Sequence, residues 1–127
     1  MPGHDLAREL LAAARSDLKA LENMLDPEAF DDRVFGFHAQ QAVEKALKSW
    51  LNYLQGSHPF THDLSMLLHE LEGCGANIED YWDFADLSAY AVRFRYEALS
   101  DEEEPLDRER LLGDVRALVD GVMHLLS

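Results

Sequence analysis

Leu6, Leu10, Ala14, Leu18, Leu21 and Leu25 recur at steps of three and four residues, the spacing that lines one face of an α-helix. The pattern predicts a first helix over residues 5–25. Asp26-Pro27 ends it, because the residue before a proline is pushed out of the α region. A second helix follows over residues 31–55 and stops at Gly56, Ser57 and Pro59. Its apolar face is wide: Phe35, Ala39, Ala42, Val43, Ala46, Leu47, Trp50, Tyr53 and Leu54 cover about half the circumference. Gln41, Glu44, Lys45 and Lys48 occupy the opposite, polar face, so this helix is expected at the centre of the fold with the polar face in water. A short third helix starts near Thr61 as N-cap and carries Leu64, Leu67, Leu68 and Leu71 before Gly73 and Gly75. Helix four is predicted from Asn77 to Leu99. Helix five starts near Asp107, with Leu111, Val115, Leu118, Val122 and Leu125 in register. The pattern therefore predicts an all-α fold, an antiparallel up-down bundle of about five helices.

Composition supports that reading. At 127 residues, 47% hydrophobic and 28% charged, the chain fits one globular domain over residues 1–127 with a real core. Four prolines and seven glycines are too few for the turns of a strand-rich fold. One cysteine, Cys74, cannot make an internal disulfide, which suits a reducing compartment. The opening MPGHDLAREL has no basic n-region or apolar run, and no stretch reaches 18 uninterrupted apolar residues. The expected location is the cytoplasm, away from any membrane. The net charge of −14 opposes non-specific contact with nucleic-acid phosphates, so any such contact must be local.

Six histidines invite a metal reading, but their spacing does not support one. His58 and His62 have Pro59 between them, and His69-Glu70 lacks the second histidine of a zincin helix. No glycine loop of the Walker or dinucleotide type is present. The acidic run 100–105 reads as a solvated loop. Two features remain. Glu44 and Lys48 form an i,i+4 pair, which by itself is a modest surface pair. Tyr90-Ala-Val-Arg93-Phe-Arg95-Tyr96 sets two arginines among tyrosines in a very acidic chain. Guanidinium forks suit phosphate oxygens, although the same arginines also suit a helix C-terminus beside acidic residues.

Together these residues resemble the HEPN domain family. The resemblance begins with Ala14 and Asp17 and sharpens at Phe37-His-Ala-Gln-Gln-Ala-Val-Glu-Lys-Ala-Leu-Lys48. It continues through Gly56, Pro59, Thr61-His62-Asp63-Leu64 and Leu67-Leu68 to Tyr90 and Arg95-Tyr96, over residues 5–125. It implies an antiparallel bundle, often a homodimer and often encoded beside a minimal nucleotidyltransferase. Some members are metal-independent ribonucleases, often toxins, built on an arginine followed four to six residues later by a histidine. Others look like nucleotide-binding or partner-binding accessory subunits.

This chain departs from the ribonuclease pattern, because the histidine window after Arg95 falls on Ser100, Asp101 and Glu102, and that after Arg93 on Ala98, Leu99 and Ser100. Arg33-Val-Phe-Gly-Phe-His38 has the spacing but lies early in helix two, and is read as a decoy. The resemblance thus implies a non-catalytic accessory protein. Arg95, Arg93 and Tyr96 would meet phosphate or base, Glu44 and Lys48 would order the site, and His62 and Asp63 would lie beside them. No metal or cofactor is assigned. The alternatives are a ribonuclease using Arg95 with His62 in place of the missing histidine, and a purely structural interaction module.

Overall fold

A computed structural model describes residues 2–91 and 105–127. They form α1 (Pro2–Glu22), α2 (Asp32–Gln55), α3 (Leu64–Gly73), a 3₁₀ helix η1 (Glu79–Leu87) and α4 (Arg108–Leu126), with no strand among the described residues. This is an all-α bundle. The helix starts follow local chemistry: Asp31, Asp63 and Asp107 each accept a backbone N–H of the first turn through the side chain, from Val34, Ser65 and Arg110 respectively. Gly56 closes α2 in the left-handed conformation at φ 79°, which a residue with a Cβ rarely adopts. Thr61, the expected cap of α3, instead accepts from the Asp63 N–H and steadies the cap residue itself.

α2 is the axis of the molecule. α1 packs antiparallel along it, with Ala7, Leu11, Ala14, Leu18 and Leu21 buried against Ala39, Ala42, Val43, Ala46 and Leu47. The inward face of α1 therefore uses Ala7 and Leu11 where Leu6 and Leu10 were expected. The reason is the close approach at that end, where the Ser49 hydroxyl donates to the Ala7 carbonyl at 2.6 Å. Only a small residue at position 7 allows this. α4 packs on α1 and α2 through Leu112, Val115, Leu118, Val119 and Val122. Segment 56–63 runs back along α2, and α3 then returns beside α2 in the same direction, so that Gln55 meets Glu70 and Cys74. The apolar arc of α2 is thereby covered within one chain except at Leu54, which stays exposed near its C-terminal end.

The expected helix four begins differently. Ile78, Tyr81, Phe84 and Leu87 repeat at a strict interval of three, which stacks them on one face of a helix with three residues per turn. Ile78, Phe84 and Leu87 are buried, and Tyr81 meets the Trp50 ring edge-on at 6.0 Å. Packing thus selects the tighter helix over Glu79–Leu87, and α-helix resumes at 88–91. The rest of that expected helix lies outside the described residues.

One buried cation ties the start of α4 to the turn between α1 and α2. Arg108, only 7% exposed, donates to Asp32 Oδ1 at 2.9 Å and to the Met24 carbonyl at 2.7 Å, and its guanidinium lies 5.2 Å from the centre of the Phe35 ring. The other Asp32 oxygen accepts the Leu106 N–H. The start of α4 is thereby fixed to the α1–α2 turn. Arg108→Ala is expected to lower unfolding stability by about 3–5 kcal/mol, the cost of removing one partner of a buried pair. Urea unfolding followed by circular dichroism checks this. A loss below half a kcal/mol would mean that the clasp is not structural.

Candidate functional site

Glu44 was expected on a solvated polar face, and it is not there. It is 5% exposed, because the returning segment 56–63 lies over this side of α2. A carboxylate taken out of water must have its oxygens satisfied. Oε1 accepts from Gln40 Nε2 at 2.9 Å and from His62 Nδ1 at 3.0 Å, and Oε2 accepts from Lys48 Nζ at 3.0 Å. Gln40, itself fully buried, also donates to the His62 carbonyl and accepts from Gln41 at 2.7 Å. The Glu44–Lys48 pair is therefore the buried floor of a polar cluster, and the modest surface pair read from its spacing is corrected accordingly.

Burial pushes the Glu44 carboxyl up. Hydrogen bonds from Gln40, Lys48 and His62, together with the Lys48 charge, outweigh it and hold the group below the ordinary carboxylate range. An ionised carboxylate only accepts, so His62 Nδ1 carries a proton, and in the neutral imidazole Nε2 is the acceptor. The His62 side chain is 71% exposed while its anchor is buried. The cluster thus presents one oriented imidazole at the surface.

Two turns further along α2, a second histidine is held in the opposite sense. Asn52 Nδ2 donates to the Lys48 carbonyl at 2.8 Å and meets His58 Nδ1 at 2.6 Å. The carbonyl contact identifies that Asn52 atom as the nitrogen, so His58 Nδ1 accepts and its proton sits on Nε2. Burial and the Lys48 ammonium hold the His58 imidazole below its ordinary range, against the pull of Glu44. His58 is therefore a neutral donor, whereas His62 offers an acceptor.

Other predicted residues are placed elsewhere. Asp63 is occupied as the cap of α3, accepting from the Ser65 N–H and hydroxyl. His38 lies 4.0 Å from Asp17 on the α1 side of α2, and Asp17 pairs with Lys45 at 2.7 Å. The decoy histidine is thus apart from the Glu44 cluster. Tyr90 packs so tightly on Gly36 that a Cβ there would come within 2.6 Å of its ring. Arg93, Arg95 and Tyr96 lie outside the described residues, and so does any contact between Arg95 and His62. The roles of Gln40, Gln41, Asn52 and His58 were not anticipated, although Gln40 and Gln41 sit in the run that carried the resemblance.

Against this geometry stands a comparison with known families: the model of the HEPN domain matches residues 7–125. The chain belongs to the HEPN family. Comparison with curated proteins and with solved structures gives no match. In this HEPN chain the family-like run Phe37–Lys48 supplies the floor of the cluster, and Thr61–Leu64 supplies its exposed histidine. Among the described residues no helix is long and apolar enough to cross a membrane.

The two lowered ionisations set the acid behaviour. The folded Glu44 pKa is below its unfolded value, near 4.3, so its contribution is complete above that value and is lost as pH falls through the lower folded pKa. His58, also lowered, penalises folding once pH drops below about 6.5, where only the unfolded chain takes up the proton. Stability should therefore fall on acidification from about pH 7 to 3, and His58→Ala together with Glu44→Gln should flatten that slope. Melting temperatures across the range test it; an unchanged slope in the double variant would remove both groups from the account.

Proposed function

We propose that this HEPN protein is a non-catalytic accessory subunit that binds a nucleotide, working in the cytoplasm beside a minimal nucleotidyltransferase. The observation that carries the reading is the Glu44 cluster. A buried, fully bonded carboxylate orients Lys48 and His62, which is what an ordered binding surface needs and a solvated face does not. The basic and aromatic residues Arg93, Arg95 and Tyr96 are the natural phosphate and base contacts in a chain of net charge −14. The missing histidine four to six residues after either arginine leaves ribonuclease chemistry without its usual proton-transfer group. Family resemblance alone points to the nucleotidyltransferase partner.

A second reading is favoured by one contact. A carboxylate on Nδ1 leaves His62 Nε2 as an available base, which suits a metal-independent ribonuclease using Arg95 and His62. Calorimetry with nucleoside mono- and triphosphates, and RNA incubation in excess chelator, separate the two. The accessory reading expects binding that weakens by about 1.5–3 kcal/mol in Arg95→Ala, as for a charge-assisted hydrogen bond, and intact single-stranded RNA. Chelator-resistant cleavage abolished by Arg95→Ala or His62→Ala would establish the enzyme instead. Binding of a partner protein with no nucleotide would favour the interaction module.

The family also suggests a homodimer. Apart from Leu54 the α2 arc is covered within the chain, so the candidate face is that of α1 and α4, where Leu6, Met123 and Leu125 are exposed and Met123 lines a groove with Ala12, Arg15, Lys19 and Arg116. A dimer there should bury at least about 1,200 Å² in total. Light scattering at micromolar concentration should give twice the 14.4 kDa chain mass, and Met123→Lys should return it to a monomer. A monomeric native chain would sink the dimer.

A further inference from the structure

We propose that the loop carrying His58, Phe60 and His62 is a platform for an unpaired nucleobase, with Phe60 as the stacking face; this rests on the nucleotide reading above. Phe60 is fully exposed, at 102% of the reference area. Its benzyl group lies wholly in water and leaves a π-face open to a ligand. It is not carried on a loose tip. The Thr61 N–H donates to the Pro59 carbonyl at 3.0 Å, closing a three-residue turn with Phe60 at its apex. Pro59 restricts the chain on one side. On the other, the Thr61 hydroxyl bonds to both the Asp63 N–H and the Met66 sulfur.

The flanking histidines make a base the fitting occupant. The loop is pinned to α2 at Asn52 and Glu44, eight residues or about 12 Å apart along the helix. Phe60 comes between those anchors, with the His58 ring edge-on to it at 6.3 Å. His58 offers an N–H donor and His62 an acceptor, each fixed by its bond to α2. A π-face with a donor beside it on His58, and an acceptor available two residues on at His62, matches an unpaired base, which has a face to stack and an edge of mixed donors and acceptors. An apolar pocket on another protein would need the face alone.

Calorimetry of the full chain with adenosine 5′-monophosphate, uridine 5′-monophosphate and ribose 5-phosphate tests the assignment. Both nucleotides should bind at least about tenfold more tightly than ribose 5-phosphate. Phe60→Ala should remove that advantage without changing the ribose 5-phosphate affinity or the melting temperature. Phe60→Trp should keep it and Phe60→Leu should not. If all three ligands bind alike and Phe60→Ala changes nothing, the platform is wrong while the phosphate-binding reading stands. If none binds, the nucleotide reading falls and takes the platform with it. If Phe60→Leu behaves as wild type, or Phe60→Ala instead weakens self-association in light scattering, Phe60 is a protein anchor and the proposal is overturned.

Discussion

The fold depends on a single constraint: α2 is enclosed by its own chain, and the polar groups it carries inward must find partners there. α1, α3, η1 and α4 all lie against it. Most of its inward positions are filled with alanine, valine, leucine and aromatic side chains, which need no such partners. Gln40, Glu44, Ser49 and the Asn52 amide nitrogen do need them, and each is answered from elsewhere in the chain or from the next turn of α2. Leaving any of them unbonded would cost on the order of 1–3 kcal/mol, more for the charged one. The path of segment 56–63 is best understood as the answer to Glu44 and Asn52. Its two histidines complete those residues, and in doing so acquire fixed tautomers.

The same logic at the other end of α2 gives a purely structural result. Arg108 is buried like Glu44, but its hydrogen bonds run to the Met24 carbonyl and Asp32 at the α1–α2 turn, and its face lies on Phe35. The Arg108 side chain is turned inward by that arrangement. At the Glu44 end an exposed imidazole remains, and that difference is why one buried ion pair reads as a clasp and the other as the floor of a site.

Much of this was readable in the sequence because the deciding signals are local. Asp31, Asp107 and Gly56 mark helix ends that the structure places within a residue of expectation, and periodicity located α1, α2 and α4. Two errors share one origin. The inward face of α1 slid from Leu6 and Leu10 to Ala7 and Leu11, and Glu44 moved from water into the interior. Both depend on how near another segment comes, which periodicity along one helix does not encode. The 3₁₀ segment is different: the interval of three from Ile78 to Leu87 is visible in the sequence, but over so few turns it fits a helix of about 3.6 residues per turn nearly as well, and only packing decides between them. The family run Phe37–Lys48 pointed to the right stretch of α2, but a buried carboxylate and two opposed histidines emerge only when segment 56–63 is seen lying over it.

That return segment also behaves like a ruler. Gly56 starts it in a conformation few residues adopt, and the Asp63 cap ends it where α3 must begin. Between them, four residues from His58 to His62 span about the same 12 Å as eight residues of helix beneath. Inserting or deleting one residue would displace a histidine by about 3.3 Å, more than the length of its bond to α2, while leaving every helix intact. The length of the segment is set by the pitch of the helix it measures.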